Sequence, residues 1–209
     1  FLYFSKHFFL LWEISKWLTL GNFFYWFTSN FWFVLSGYTF GSYTFGILRS
    51  LANLANIFNI FYQSLENIIP QKTSEIFSDA NKEKMKDFLI KFTKIGSFFG
   101  LILLTLIIIF GKQVTIFLFD QDVSQYFIYL YYFSIINFFQ FYTYPVNYGL
   151  RTLNYTKPNF YYYMFSSIFS FIFGSVFLKF FDIYGFFIGI FISNLIVLLG
   201  TFLRRLYLL

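Results

Sequence analysis

The sequence predicts an all-α membrane protein with about six transmembrane helices, and three observations carry that prediction. The chain of 209 residues is 58% hydrophobic and 29% aromatic but only 11% charged, whereas soluble domains carry roughly a quarter charged residues. Its apolar residues gather into windows of about the 20 residues that a helix needs to cross the hydrocarbon. The basic residues fall almost entirely at one end of the resulting spans.

Six windows lie between charged or Pro/Gly-containing breaks, at about 17–37, 45–69, 88–111, 124–148, 159–179 and 184–203. The run from Gly37 to Ser42 is a small-residue turn between two antiparallel helices, and Phe180-Phe181-Asp182 joins the fifth and sixth windows as tightly. The longest polar break, Pro70 to Asp87, is the one loop with room for an interfacial helix. An even number of spans places both termini on one side. Twelve of the fifteen basic residues, all but Arg49, Lys112 and Lys179, share that side, which the positive-inside rule makes cytoplasmic. The reading is a multi-pass protein of the cytoplasmic membrane with Asp120, Asp122 and Asp182 facing outward. The net charge of +6 is then a topology signal, and no nucleic-acid partner is required. Trp12, Trp17 and Tyr161 to Tyr163 sit where aromatic anchors meet the headgroups. Small residues four apart, Gly96/Gly100, Ser166/Ser170/Gly174 and Gly185/Gly189/Ser193, mark close helix contacts. Pro145 is expected to kink the fourth helix and free a carbonyl that a neighbour or water must satisfy.

Whole classes of chemistry are missing. The chain has no cysteine and a single histidine, His7, which excludes disulfide frameworks, thiolate nucleophiles, cysteine-based metal sites and a Ser-His-Asp triad. Neither a metal nor a cofactor is expected, and transport rather than bond-making is the activity to look for. Asp120-Gln121-Asp122 resembles a metal-binding pair but lacks a third ligand. Asn154-Tyr155-Thr156 fits the glycosylation pattern on the side where that modification does not occur. The 38 Phe and 18 Tyr are residues of A/T-rich codons, so the aromatic content says little about function. The chain starts at Phe1 without a methionine or a signal-peptide pattern, and it is expected to be a fragment or a processed chain.

The second window is the least apolar. At 100° per residue, Arg49, Asn53, Asn56, Asn59, Gln63, Glu66 and Asn67 fall within an arc of roughly 140°, while Leu51, Leu54, Phe58, Phe61, Leu65 and Ile68 fill the rest. Charges at mid-membrane cost about 2.5–3.5 kcal/mol each, so such a stripe is expected to line water or protein. Arg49 and Glu66 stand roughly 25 Å apart along the helix and cannot neutralise one another. Amides between them suit sugar hydroxyls, and a guanidinium suits a phosphate or pyrophosphate. Interhelical hydrogen bonding is the alternative use of the same amides.

The stretches Lys16-Trp17-Leu18, Gly41-Ser42-Tyr43, Gly46 through Leu54 and Gln63 through Pro70 resemble the second half of polysaccharide exporters and O-antigen flippases of the multidrug/oligosaccharidyl-lipid/polysaccharide (MOP) superfamily. Gly149 through Pro158 and Phe181 through Gly189 are similar to that family's short basic loop and the entry to its next helix. The resemblance implies one six-helix lobe of a 12–14 helix transporter working by alternating access, with the other lobe supplied by the same chain or a second copy. It implies a flippase for a lipid-pyrophosphate-linked oligosaccharide, with Arg49 binding the pyrophosphate, Asn53, Asn56 and Gln63 facing sugars, and Glu66 coupling protons or cations. A multidrug/cation antiporter of the same superfamily and an organelle-encoded respiratory membrane subunit are the alternatives.

Overall fold

The computed structural model describes residues 2–66, 69–78, 82–119, 121–153 and 155–208, and within them the side chains of 12–13, 15–63, 69–76, 83–119, 123–153 and 155–203. The described residues form helices α1 (Leu2–Phe40), α2 (Ser42–Ala55), α3 (Ile57–Glu66), α4 (Ile69–Ser78), α5 (Lys82–Leu118), α6 (Gln121–Ser124), α7 (Ile128–Gln140), α8 (Thr143–Thr152) and α9 (Lys157–Leu208). No strand occurs among them. Glu83–Leu118 and Lys157–Leu203 are the described stretches long and apolar enough to cross a membrane as continuous helix. The second of these is itself two arms that meet at Asp182, where φ 50 and ψ −136 interrupt the helix. The remaining predicted windows also fall on helix, but two are broken: the second at Asn56, between α2 and α3, and the fourth at Phe141–Tyr142, between α7 and α8.

Each interruption has a local cause. Gly41 takes φ 91, a left-handed conformation open to glycine, and so ends α1 and turns the chain into α2 within one residue. Pro145 has no N–H, so the preceding turn cannot continue as regular helix. The Phe141 carbonyl instead accepts from the Tyr144 N–H at 3.0 Å, and the Gln140 carbonyl accepts from Thr143 Oγ1 at 2.8 Å. At Asn56 neither proline nor glycine is present. There the Ala55 carbonyl accepts a hydrogen bond from the Asn137 side chain of α7, at 3.1 Å. At Asp182 the two arms of α9 fold back so closely that a Cβ on Gly185 would collide with the Phe177 carbonyl. The polar stretch after Pro70 holds a helix, α4, with the proline in its first turn. Thr73 of α4 bonds Thr152 of α8 at 2.8 Å and fixes α4 against that end of the bundle.

The core is organised by α1, which lies along both arms of α9. Trp32 is fully buried, and its indole N–H reaches the hydroxyls of Ser170 on the first arm (3.1 Å) and Ser193 on the second (3.2 Å). Those hydroxyls are 2.9 Å apart, and Ser166 Oγ donates to the Ser193 carbonyl at 2.8 Å. Gly189 provides the space, since a Cβ there would enter the Trp32 ring. Below this junction Phe33, Phe133, Phe186 and Phe187 pack edge-to-face and stacked, with centroids 5.1–5.9 Å apart. A second core gathers Phe58 and Tyr62 of α3 with Phe138 and Phe141; Tyr62 stacks on Phe141 at 4.2 Å. Gly96 and Gly100 on α5 admit these rings, because a Cβ at either position would strike Phe141 or Tyr62.

The two ends of the bundle differ in charge. Lys16 and Lys157 both lie over the Trp17 ring, at 5.7 and 5.1 Å, and the α4–α8 contact gathers Lys72 and Arg151 at the same end. The turn after Phe40 and the Asp182 turn meet at the other end, where both residues line one cavity.

A glycine pair tests the packing. Gly189→Ala drives a methyl into the Trp32 ring and is expected to lower unfolding stability in detergent by about 1–3 kcal/mol. Gly46→Ala, which meets nothing within 4 Å, is expected to be neutral or to stabilise by up to about 1 kcal/mol.

Candidate functional site

A hydrated cavity needs polar walls where helices would otherwise close on one another. One such cavity, of about 270 Å³, opens among α1, the α2–α3 break, α7 and the second arm of α9. α1 contributes Tyr25, Thr28, Ser29 and Asn30, while Arg49, Asn56 and Asn59 come from α2, the break and α3. α7 adds Asn137 and Gln140, α9 adds Ser193 and Asn194, and Trp32, Phe33, Phe133 and Ile136 form the apolar floor.

Hydrogen bonds hold these walls in place. Gln140 Nε2 donates to the Tyr25 hydroxyl at 2.8 Å and ties α7 to α1. Asn59 Nδ2 donates to Asn56 Oδ1 at 3.1 Å across the break, and the Asn59 Oδ1 is buried without a partner. An acceptor left in that state costs about 1–3 kcal/mol, so it is a natural contact for a donor entering the cavity. Asn194 Nδ2 is bonded to the Ile190 carbonyl at 3.1 Å, and Thr28 Oγ1 lies 2.7 Å from Ser167 Oγ. The Arg49 guanidinium lies 4.9 Å from the centre of the Phe33 ring. Among the described residues Arg49 forms no ion pair, and no carboxylate lines the cavity. Among the described lining residues Arg49 carries the one formal charge.

The predicted stripe is only partly assembled here. Arg49, Asn56 and Asn59 face the cavity. Asn53 and Gln63 are exposed and stand outside it. Asn53 falls at one edge of the arc, roughly 80° from the mean direction of the lining positions. Gln63 lies one turn farther along α3 than Asn59, the last residue of that helix to line the cavity. Glu66 is the last residue of α3, its side chain lying outside the described ones, and Asn67 lies outside the described residues altogether. Sequence reasoning missed Tyr25, Thr28, Ser29, Asn30, Asn137, Gln140 and Asn194. Asn137 and Gln140, three apart in an otherwise apolar helix, were the signal that could have pointed to α7.

Neither a protein-family model nor a curated protein matches the sequence. Among solved structures, the chain superposes on one described as the crystal structure of MATE in the straight conformation, with a TM-score of 0.73 at 15% identity over 94% of this chain and 44% of that one. The chain has the fold of one half of a MATE transporter. The chain spans less than half the length of that structure. On this fold the cavity lies within a single helical lobe, walled by α1, α2, α3, α7 and α9 of one MATE-like half.

Removing the amide that meets the Ala55 carbonyl probes the break. Asn137→Leu is expected to destabilise the chain by about 0.6–2 kcal/mol, the range for interhelical hydrogen bonds in membranes. Faster amide hydrogen exchange at residues 55–60 is the accompanying expectation, and unchanged exchange there would show that the contact does not hold the α2–α3 junction.

Proposed function

We propose that the protein is a flippase or exporter of the MOP superfamily that moves a lipid-linked oligosaccharide or polysaccharide precursor across the cytoplasmic membrane by alternating access. The observation that supports this most is the composition of the cavity: amides and hydroxyls on four sides, one guanidinium and no carboxylate among the described lining residues. Amides and hydroxyls pair with sugar hydroxyls as both donors and acceptors. Arg49, without an acidic partner, offers paired donors to a phosphate or pyrophosphate. Asn56, Asn59, Asn137 and Gln140 then hold the sugar portion, while Asn53 and Gln63, exposed outside the cavity, extend the polar face of α2 and α3 toward a second lobe; Glu66 is kept as the proposed proton- or cation-coupling residue and Asn67 as a further member of the predicted set. In this reading both ends of the segment, with their lysines and arginines, face the cytoplasm, and the two lobes rock around the site.

The MATE likeness of the fold favours a second reading, a multidrug/cation antiporter of the same superfamily. The two readings differ in the charge of the substrate. A site with a guanidinium and no carboxylate repels cations, so a drug cation would have to be held by residues elsewhere.

Arg49→Ala in the full-length protein, at equal membrane abundance, is expected to reduce surface polysaccharide by about 10-fold or more, as the loss of a charge-assisted contact of about 1.5–3 kcal/mol implies. Arg49→Lys should retain an intermediate level. Wild-type export with Arg49→Ala, together with antibiotic resistance that tracks expression, would sink the flippase reading in favour of the antiporter.

A further inference from the structure

The polar cavity is not isolated from the lipid-facing surface. A narrow apolar slot of about 100 Å³ lies between α7 and the second arm of α9 and shares Ile136, Gln140 and Asn194 with the cavity. The slot in turn shares Ile136 and Phe191 with an open apolar groove of about 270 Å³ that runs toward Tyr184 between the same two helices. Along α9 the groove and slot reach from Tyr184 to Leu198, roughly 21 Å of helix. Their rims, Ile135, Ile188, Phe191 and Leu195, are all more than a third exposed. Groove, slot and cavity thus adjoin through shared wall residues as one α7–α9 seam, ordered from an apolar surface to amides and then to a guanidinium.

We propose that this α7–α9 seam binds the hydrocarbon tail of an isoprenyl phosphate-type lipid whose polar head enters the cavity. The inference rests on the flippase reading and adds where the lipid portion of the substrate lies. An extended chain is narrower than a helix with its side chains, which is about 10–12 Å across, and the slot between groove and cavity holds only about 100 Å³. The order of surfaces argues for an amphiphile, since an apolar segment ends at Gln140 and Asn194, where hydrogen-bonding groups begin. Burying the methylenes of a tail is favourable against water. In a bilayer that gain is already made, so selectivity has to come from the headgroup in the cavity and from the fit of the chain to the seam.

Photolabelling tests this. The full chain is reconstituted in phosphatidylcholine vesicles containing an isoprenyl phosphate with a diazirine on its tail, irradiated, digested and mapped by mass spectrometry. The expected result is label on residues 184–198 exceeding, by about fivefold or more, that on Phe165, Phe171 and Phe180, which are exposed on the other arm of α9. Excess unlabelled isoprenyl phosphate should displace it, and the Ile188→Trp/Leu195→Trp double variant, which fills the seam, should lose it. Equal labelling of the two arms, or equal seam labelling by a diazirine phosphatidylcholine, would overturn the proposal and mean that bulk lipid covers the groove. Running Arg49→Ala in parallel separates the two claims. Evenly spread label in a protein whose export needs Arg49 overturns the seam alone. Specific seam label in a protein that exports normally without Arg49 supports the seam and removes the cavity's assigned role.

Discussion

Within a bilayer, any backbone carbonyl released from a helix has to be met by the protein itself, and this constraint shapes the lobe more than any single contact. Two helices of the bundle are broken, and the breaks are bound to neighbours rather than left to the surroundings. The Ala55 carbonyl accepts from Asn137. At the other break, the Phe141 and Gln140 carbonyls are taken up by Tyr144 and Thr143 just downstream. Broken helices create surfaces that do not close on one another, and the cavity lies where the α2–α3 break faces α7. The site is thus a consequence of how the irregular backbone is satisfied.

The opposite regime holds where α1 meets α9. There the helices are long, and close approach is made possible by Gly174 and Gly189, where a Cβ would collide with α1, and by Gly185 and Gly200, where it would collide with the other arm of α9. Polar groups are few and fully mutual, as in the Trp32, Ser166, Ser170 and Ser193 cluster. Packing of this kind gives two rigid arms against which the interrupted helices can be positioned.

Much of the fold was legible because hydropathy and helical spacing report it directly. The apolar windows fall on helix, the Gly41 and Asp182 turns appear where the breaks between windows are shortest, and the small-residue spacings mark true contacts at Gly96, Gly100, Gly174 and Gly189. The candidate site was legible only from one side. A polar arc is visible when seven polar residues repeat along one helix, as from Arg49 to Asn67. It is invisible when three further helices contribute two to four residues each, as α1, α7 and α9 do with Tyr25, Asn30, Asn137, Gln140 and Asn194 among them. The break at Asn56 left no proline or glycine to read. Beside it the Ala55 carbonyl accepts from an amide 82 positions along the chain, which no local window contains.

Charge placement then limits what the cavity can accept. Arg49 lies against the Phe33 ring at 4.9 Å, an arrangement that fixes the guanidinium without neutralising it, unlike a carboxylate partner. An unneutralised cation beside a wall of amides favours an anionic, hydroxyl-rich ligand over a cationic one. The apolar seam leading into the same cavity adds a second requirement, because a free sugar phosphate has nothing to place there. On the proposed reading, a ligand that meets both surfaces at once carries a hydrocarbon chain, a phosphate and a sugar in that order.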